Sequence, residues 1–590
     1  MLDAGFGLPD PSQGHKKDVL TKSRYSEARF LVLLVLAGLA LAGPVQFSGS
    51  ASIYSEYEWV TGDSLVEPRP ELRFNINPVL SLFGFPIGLD MLLSTHENPI
   101  RQQLDKCRLF LNPKQWLESQ ADLSGLALSF KSLELGSCNP SWTPYTLAGA
   151  PVLGGAVELN PWYLYAAAAA GRTQRRVPVS DSTQGASARM LYSGRFGFGR
   201  KEGTHFYLTA LYAGDDTTPP ANNWQPNPND TQPPIDSFEV VRPQENYVLG
   251  AEFNLDLAKG AFRLESEVTG SELTRDKRLP VEKWDWMPGW AANTLKPRMS
   301  SSFDYAFRVK PSLNVLDTRV HGKLEFIGPG YQSLGAPGLR KDNMTIGAGI
   351  ERSFFDNAVS ASVVYSSHHD NLLSARDSAG NVLRLKSSTT RFSNLEASLS
   401  LAFPNVPYMQ VGYYPYTQAT DHLDSVGLIV STSVTKGNVV SIGTGHSLQI
   451  GKVSHTPSLS LSYNDVRGPT NDSVDNTSWD TGMNYAIGFE FPLSFSVSAG
   501  YSRSTSVMAE SDTRIYCDVA PSYTLFQKWN HSLSLGGTLG TATRTDVRYT
   551  TSFPVWKICD GRFDVSNAIY SGDDGRYNDM RLTAQLSKNW

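Results

Sequence analysis

Charged residues are scarce in this chain of 590 residues, since Asp, Glu, Lys and Arg make up only 18% of it. Soluble domains average about a quarter. Aromatic residues reach 11%, and 49 glycines are present. The net charge of −5 gives no reason to expect a nucleic acid as a partner. The composition is unusual for a soluble protein.

Long hydrophobic runs are also missing, because no stretch approaches the roughly 20 apolar residues that a membrane helix needs. The longest run is FLVLLVLAGLALA, Phe30–Ala42, which follows several basic residues and ends in Ala40-Leu41-Ala42. This pattern predicts a secretory signal peptide over residues 1–42, and its long basic part favours a true start downstream of Met1. A short membrane anchor and a buried helix are the alternatives.

Only four cysteines occur, and none forms a C-x-x-C pair or a zinc-ligand spacing. Cys107 and Cys138 bracket one strand-turn-strand unit near its outer end, which predicts that they can form a disulfide. Cys517 and Cys559 are predicted not to pair. Catalytic motifs are lacking too, with no G-x-S-x-G, no paired catalytic acids and no phosphate loop. The chain is therefore not expected to be an enzyme or to bind a cofactor.

What the sequence does contain is alternation with the period of a β-strand. In NYAIGFEFPLSFSVSAGY, residues 484–501, every odd position is apolar or aromatic, and most even positions are Ser, Gly, Asn or Glu. Pro492 cannot lie inside a central strand, so we predict a hairpin centred there that pairs Phe489 with Phe495. A soluble sandwich with its polar face in water would give the same local pattern.

The same alternation recurs along the chain, and short turns alternate with long polar loops. This asymmetry is typical of an outer-membrane barrel, with short periplasmic turns and long extracellular loops. We predict an all-β fold, a single large transmembrane antiparallel up-and-down barrel over residues 43–590. Both ends lie in the periplasm, which requires an even strand number. About 26 strands are expected, with 24 to 28 acceptable, if residues 421–436 belong to an outer loop.

The last strand, MRLTAQLSKNW, is amphipathic and ends in an aromatic residue. Such a strand resembles the sorting signal of bacterial outer-membrane barrels, which predicts the outer membrane of a Gram-negative bacterium. The expected partners are outer-membrane lipid and the barrel insertion machinery, and other envelope proteins are further candidates. The residues on the apolar face of this strand are Leu582, Ala584, Leu586 and Trp590.

Charged side chains occupy the polar faces of four consecutive predicted strands. An ionisable group in hydrocarbon costs several kcal/mol, so these groups should face the lumen. They would either tune solute selectivity or form structural cross-strand ladders. They are Glu252, Asp256, Arg263, Glu265, Glu267, Arg308, Lys310, Arg319, His321, Lys323 and Glu325.

Three other features favour structural interpretations. His368-His369-Asp370 offers metal-ligand types, but adjacent strand residues point in opposite directions, so a solvated loop tip is expected. Asp215-Asp216 could contribute to a calcium site, although no third ligand is evident. The WDWMPGW stretch, residues 284–290, would pack its loop rather than stack on sugars.

Five motifs resemble a poorly characterised family of large outer-membrane β-barrel proteins of didermal (Gram-negative) bacteria. They run in order between about residues 46 and 420, and the family implies a barrel and surface exposure but no catalytic residues. The motifs are LSLFGFPIGLDMLLST, SWTPYTLAGAPVLGGAVELNP, RPQENYVLGAEFNL, FIGPGYQSLGAP and VGYYPYTQ.

These observations predict a porin-like pore, a transport channel for solutes or a polymer. A barrel of about 26 strands would be wide, so it must be open, flattened or blocked by its own loops. The proline-rich tract from Asp215 to Pro243 is the candidate constriction. The alternative is a non-conducting, structural or partner-binding barrel in a secretion or surface-assembly complex.

Overall fold

The computed structural model describes the chain from residue 45 onward. The described ranges are 45–61, 71–82, 85–95, 106–111, 130–178, 185–218, 241–373, 387–423, 428–468, 475–507, 511–540, 543–555, 558–572 and 575–590. The predicted signal peptide, residues 1–42, and most of the proline-rich tract lie outside them. Among the described residues, no helix is long and apolar enough to cross a membrane.

The described chain is almost entirely β-strand, with one helix, α1 (Gly289–Leu295), and a 3-10 turn at Ala258–Gly260. The first fourteen strands are β1 (Val45–Thr61), β2 (Glu71–Leu82), β3 (Phe85–Ser94), β4 (Lys106–Leu111), β5 (Phe130–Cys138), β6 (Val152–Leu159), β7 (Leu164–Gln174), β8 (Arg189–Gly199), β9 (His205–Asp215), β10 (Glu245–Leu257), β11 (Phe262–Thr274), β12 (Ser301–Val315), β13 (Thr318–Ile327) and β14 (Asn343–Phe354).

The remaining strands are β15 (Val359–His369), β16 (Ser388–Leu401), β17 (Tyr408–Leu423), β18 (Ile429–Gly445), β19 (Leu448–Ile450), β20 (Val453–Arg467), β21 (Asn476–Phe489), β22 (Leu493–Ser506), β23 (Asp512–Leu525), β24 (Trp529–Leu539), β25 (Thr543–Val555), β26 (Cys559–Gly572) and β27 (Gly575–Asn589).

Each strand pairs antiparallel with its sequence neighbours, and β1 pairs with β27 to close the sheet. The short β19 continues β18 after a break, because both pair with β20. The barrel therefore has 26 strand positions, which confirms the predicted fold class and number. Trp590 completes the seam, since its N–H donates to the carbonyl of Gly49 and its own carbonyl accepts from Gly49 N–H.

The outer face of the barrel is apolar, as the alternation predicts. Leu249 and Val268 are 64% and 54% exposed, an arrangement that water disfavours and lipid satisfies. Aromatic side chains project from the short turns at the end that carries Trp590, which is where a membrane-interface girdle belongs. This end is called the short-turn end and the opposite one the outer end. The exposed turn aromatics are Trp162, Tyr163, Phe355, Phe403, Phe491 and Phe526.

Two sequence predictions about strand boundaries are wrong. The hairpin of residues 484–501 pairs Ile487 with Phe495, so its turn is centred on Phe491 and not on Pro492. The Leu493 N–H bonds to the Phe491 carbonyl, which tightens the loop without moving any side chain to the other face. Residues 421–436 are not simply a loop, because β17 and β18 remain paired up to Leu423 and Ile429.

The predicted disulfide is also wrong, since Cys107 and Cys138 are both free. The Cys107 N–H contacts Ser137 Oγ across the β4–β5 ladder, so Ser137 is its opposite neighbour. Cys138, one residue further, points to the other face of the sheet. Cys107 is exposed and Cys138 is buried. Cys517 and Cys559 are free as well, as predicted, on strands separated by β24 and β25.

Candidate functional site

Two connecting segments fold back into the barrel instead of leaving it. The first inner segment, residues 139–151, joins β5 to β6, and the second inner segment, residues 328–342, joins β13 to β14. Together they are called the plug. They cover the inner face of β6 to β13, where side chains such as Leu191, Leu211 and Val248 are buried with Leu147 and Leu334 in an apolar core.

The two inner segments are bonded directly to each other. The Ala148 N–H donates to the Gly335 carbonyl at 2.9 Å, and the Ser333 hydroxyl donates to the Thr146 carbonyl at 2.5 Å. The Tyr331 hydroxyl donates to the carbonyl of Tyr145 at 2.8 Å. The plug is therefore one unit held by backbone and hydroxyl hydrogen bonds.

Asn246 on β10 attaches the second inner segment to the wall. Its side-chain Nδ2 donates to the Gln332 carbonyl at 3.0 Å, and its Oδ1 accepts from the Leu334 N–H at 2.9 Å. The same Nδ2 also donates to Ser271 Oγ and to the Glu272 carbonyl. Asn246 is fully buried, so these bonds satisfy polar groups that have no access to water.

A row of charged residues crosses the inner wall beneath the plug. Arg195 on β8 is paired with Glu252 on β10, which lies opposite Glu267 on β11 in the strand register. Arg308 on β12 places its Nε 3.0 Å from Glu267 and is directly opposite Glu325 on β13. The two carboxylates that lie opposite each other each have an arginine partner, Arg195 for Glu252 and Arg308 for Glu267, so the like charges are compensated. These five residues are called the charged belt.

The first inner segment rests on this belt. The Tyr145 hydroxyl donates to Glu325 Oε1 at 2.6 Å, and the Arg308 guanidinium lies over the Tyr145 ring, 5.8 Å from its centroid. The Arg195 Nη1 donates to the Trp142 carbonyl at 3.3 Å. Burial raises the pKa of the Tyr145 hydroxyl well above its usual value, and the bond to Glu325 raises it further. Tyr145 therefore remains a neutral donor to the carboxylate.

The predicted lumen charges all share the inner face, but the structure divides them. Four belong to the charged belt and are covered by the plug: Glu252, Glu267, Arg308 and Glu325. The others lie toward the short-turn end, where three sets pair across strands: Asp256 with Arg263 at 2.8 Å, Glu351 with Arg319 and His321 at 3.8 Å each, and Glu265 opposite Lys310 in the register. Lys323 instead pairs along β13 with Glu325 of the belt, at 2.5 Å.

The opposite half of the barrel has a different inner surface. From β20 to β24 serine is the commonest residue at the inward positions, and Ser494 and Ser522 share a hydrogen bond of 2.5 Å. Charged pairs appear again on β25 and β26, for example Arg548 with Asp564 at 2.9 Å. Most of the serines in this half are partly exposed. The wall there is therefore polar and wetted, unlike the apolar core under the plug.

The remaining candidates occupy structural positions. His368 stacks on Phe392 within the sheet, with ring centroids 4.9 Å apart, and does not lie at a loop tip. Asp215 is held by Arg189, and Asp216 by Arg176. Trp284 is buried against Trp286, which agrees with a packing role. No group of three or more His, Cys, Asp or Glu suited to a metal occurs among the described residues.

The plug was not predicted from the sequence, although one feature of the strands beneath it indicated a cover. Tyr165, Leu191, Leu211 and Val248 are apolar at inward positions, so each of their strands carries an apolar side chain on both faces. Apolar residues on the inner face indicate that something covers that part of the wall.

Comparison with known proteins gives structural matches only. No protein-family model and no curated protein sequence matches this chain. An E. coli P pilus tip assembly intermediate, PapC-PapD-PapK-PapG, matches with 10% identity and a TM-score of 0.44, covering 93% of this chain. This chain spans 62% of the length of the chain matched there.

Two further solved structures are similar at a lower level. The P pilus usher (PapC) translocation pore has 11% identity, a TM-score of 0.37 and coverage of 92% of this chain and 99% of that chain. Pseudomonas aeruginosa OpdK with vanillate has 8% identity, a TM-score of 0.29 and coverage of 60% and 94%.

Proposed function

We propose that this protein is an outer-membrane channel of a Gram-negative bacterium whose lumen is narrowed by the plug. The observation that supports the proposal is the contrast between the two inner walls. One half, from β6 to β13, is sealed by the inner segments over an apolar core, and the other half presents partly exposed serine and paired charges. A wetted, polar wall suits the passage of hydrophilic solutes.

The membrane location of the proposed channel rests on its outer surface. The exposed apolar side chains of the strands and the turn aromatics suit lipid, and the amphipathic last strand suits the insertion machinery. The five family-like motifs support the same location. Two of them, SWTPYTLAGAPVLGGAVELNP and FIGPGYQSLGAP, contain most of the first inner segment and much of the second. We infer that the plug is a feature of that family of large barrels.

Planar-bilayer recording tests the channel. Residues 140–150 are replaced by a glycine-serine linker of equal length, which removes the side chains that rest on the charged belt while leaving the chain closed. The single-channel conductance is expected to rise, because the first inner segment no longer fills its half of the lumen. If the intact barrel and the replaced barrel both insert but neither conducts, the channel proposal fails.

A second function, partner binding at the outer surface, is favoured by one observation. Ile429 and Val430, at the outer end of β18, are 57% and 70% exposed. Apolar residues at this position suit contact with another envelope protein. A stoichiometric partner that co-purifies from native membranes, and is lost on substitution of both residues by serine, would favour the scaffold over the channel.

A further inference from the structure

A cavity of about 510 Å³ lies at the outer end of the barrel, between the plug and the wall. Arg189 and Asp215, near the outer ends of β8 and β9, line one side, and the chain from Tyr331 to Lys341 of the second inner segment lines the other. Small-molecule sites typically occupy about 300–1,000 Å³. The cavity is therefore large enough for a small organic ligand.

The described residues that line this outer cavity carry a net positive charge. Among its described lining residues, Asp215 is the one carboxylate, and Arg189 holds it with two hydrogen bonds of 2.6 and 2.9 Å. The Arg189–Asp215 pair is nearly buried, and its two charges neutralise each other. Arg242 and Lys341 also line the cavity, and neither makes an ion pair or hydrogen bond with another described residue. Asp276 lies outside the lining, and the pKa of its carboxyl is lowered mainly by Arg278, which pairs with it at 2.8 Å, and to a smaller extent by Arg242. Because Arg278 already pairs with that carboxylate, Arg242 and Lys341 are the two charges available to an anion.

Hydrogen-bonding groups surround these charges. The Gln332 side-chain amide lines the cavity and makes no hydrogen bond with another described residue. Gln244 beside it accepts at its side-chain Oε1 from Arg189 Nη2 at 3.2 Å, and its backbone N–H donates to Asp215 Oδ2 at 2.9 Å. Amides are suited to hydroxyl groups, which both donate and accept. The lining therefore combines anion recognition with polyol recognition.

We propose that the outer cavity binds a small hydroxylated organic anion, such as a sugar acid, as the solute that the channel admits. This inference rests on the proposed channel and names its substrate class. The carboxylate of the ligand would lie between Arg242 and Lys341, and its hydroxyls would contact Gln332 and Gln244. Because one side of the cavity is the second inner segment, the bound solute would contact the plug itself.

Isothermal titration calorimetry of the full-length protein in detergent tests the proposal, with D-glucuronate as the probe and D-glucose as its uncharged counterpart. Wild-type protein is expected to bind glucuronate saturably and glucose much more weakly. The double variant Arg242→Gln, Lys341→Gln should bind glucuronate at least about tenfold more weakly. The matched control is Lys436→Gln, Arg467→Gln, which removes two positive charges at directly paired positions of β18 and β20, away from the cavity, and should bind like wild type.

Three outcomes overturn the proposal: no saturable glucuronate binding by folded wild-type protein, equal binding of glucose, or unchanged affinity in the Arg242, Lys341 variant. Binding in detergent requires no conduction. A barrel that conducts without binding glucuronate therefore contradicts the cavity assignment alone, and one that binds without conducting contradicts the channel alone.

Discussion

Tyr145 and Glu325 are 180 positions apart in the chain, and the hydroxyl of Tyr145 donates a hydrogen bond of 2.6 Å to the Glu325 carboxylate. The bond joins the first inner segment to the wall of β13. Glu325 is held at the same time by Lys323, 2.5 Å away, so the carboxylate keeps a compensating charge. This contact links the plug to the charged belt. Breaking it should weaken the attachment of the plug, while the Glu325 carboxylate keeps Lys323 as its partner.

Substitution Tyr145→Phe tests that link through the reactivity of Cys138, which is buried where β5 enters the plug. A hydrogen bond to a charged group stabilises a folded structure by about 1.5–3 kcal/mol. Its loss should therefore make the first inner segment dissociate from the wall more often. In a background with Cys107, Cys517 and Cys559 replaced by serine, a membrane-impermeant maleimide should label Cys138 at least about tenfold faster.

Tyr485→Phe is the matched control for this labelling. Tyr485 also loses a hydrogen bond, to His455 Nδ1 at 2.7 Å, but that pair lies on the lipid-facing side of β20 and β21. Its labelling rate should equal that of wild type. Equal rates for both variants would show that Tyr145 does not hold the plug.

The charged belt should be sensitive to the loss of a single partner. Arg195 is 3% exposed and pairs with Glu252, so Arg195→Met leaves a buried carboxylate with less compensation and should cost about 3–5 kcal/mol. Arg544 pairs with Asp546 at 2.7 Å on the wetted half of the barrel and is 48% exposed, so Arg544→Met should cost about 1 kcal/mol or less. Urea unfolding of both variants in lipid vesicles measures the difference. Similar losses would mean that the plug does not shield the belt.

Trp590 joins the last strand to the first. Besides its two backbone bonds to Gly49, its ring stacks on Phe47 with centroids 5.5 Å apart. We predict that deletion of Trp590 impairs insertion while export continues, so the protein accumulates in the periplasm and is degraded. Trp590→Phe keeps an aromatic ring and serves as the control. Normal outer-membrane levels of the deletion on fractionation would exclude a role in sorting.

The strands of the barrel wall can be predicted from local sequence, whereas the plug cannot. Strand period two places Leu586 outward and Glu267 inward whatever the distant contacts are, so the strand count and the faces were predictable. A register shift of two residues leaves every side chain on the same face of the sheet. The inward and outward positions of the hairpin around Phe491 were therefore predicted correctly, although its register was not.

The plug depends on contacts between segments far apart in sequence, such as Thr146 with Ser333, which no periodic pattern encodes. The alternation of the strands assigns the predicted lumen charges to one face of the sheet, yet the burial of the charged belt could not be predicted, because it results from those distant contacts. The outer cavity could not be predicted for the same reason, since Arg242 and Lys341 are separated by nearly a hundred residues.

Gly335 offers the sharpest test of the central claim that the plug narrows the channel. A Cβ at this position would lie 2.7 Å from the Thr146 carbonyl oxygen and 2.5 Å from Leu211 Cδ1, so Gly335→Ala forces the inner segments apart or away from the wall. Gly338, in the same segment, has nothing within 4 Å of a Cβ. Single-channel recording should show larger or more frequent openings for Gly335→Ala, while Gly338→Ala behaves like wild type. Identical conductance traces for the two variants and wild type would contradict the account.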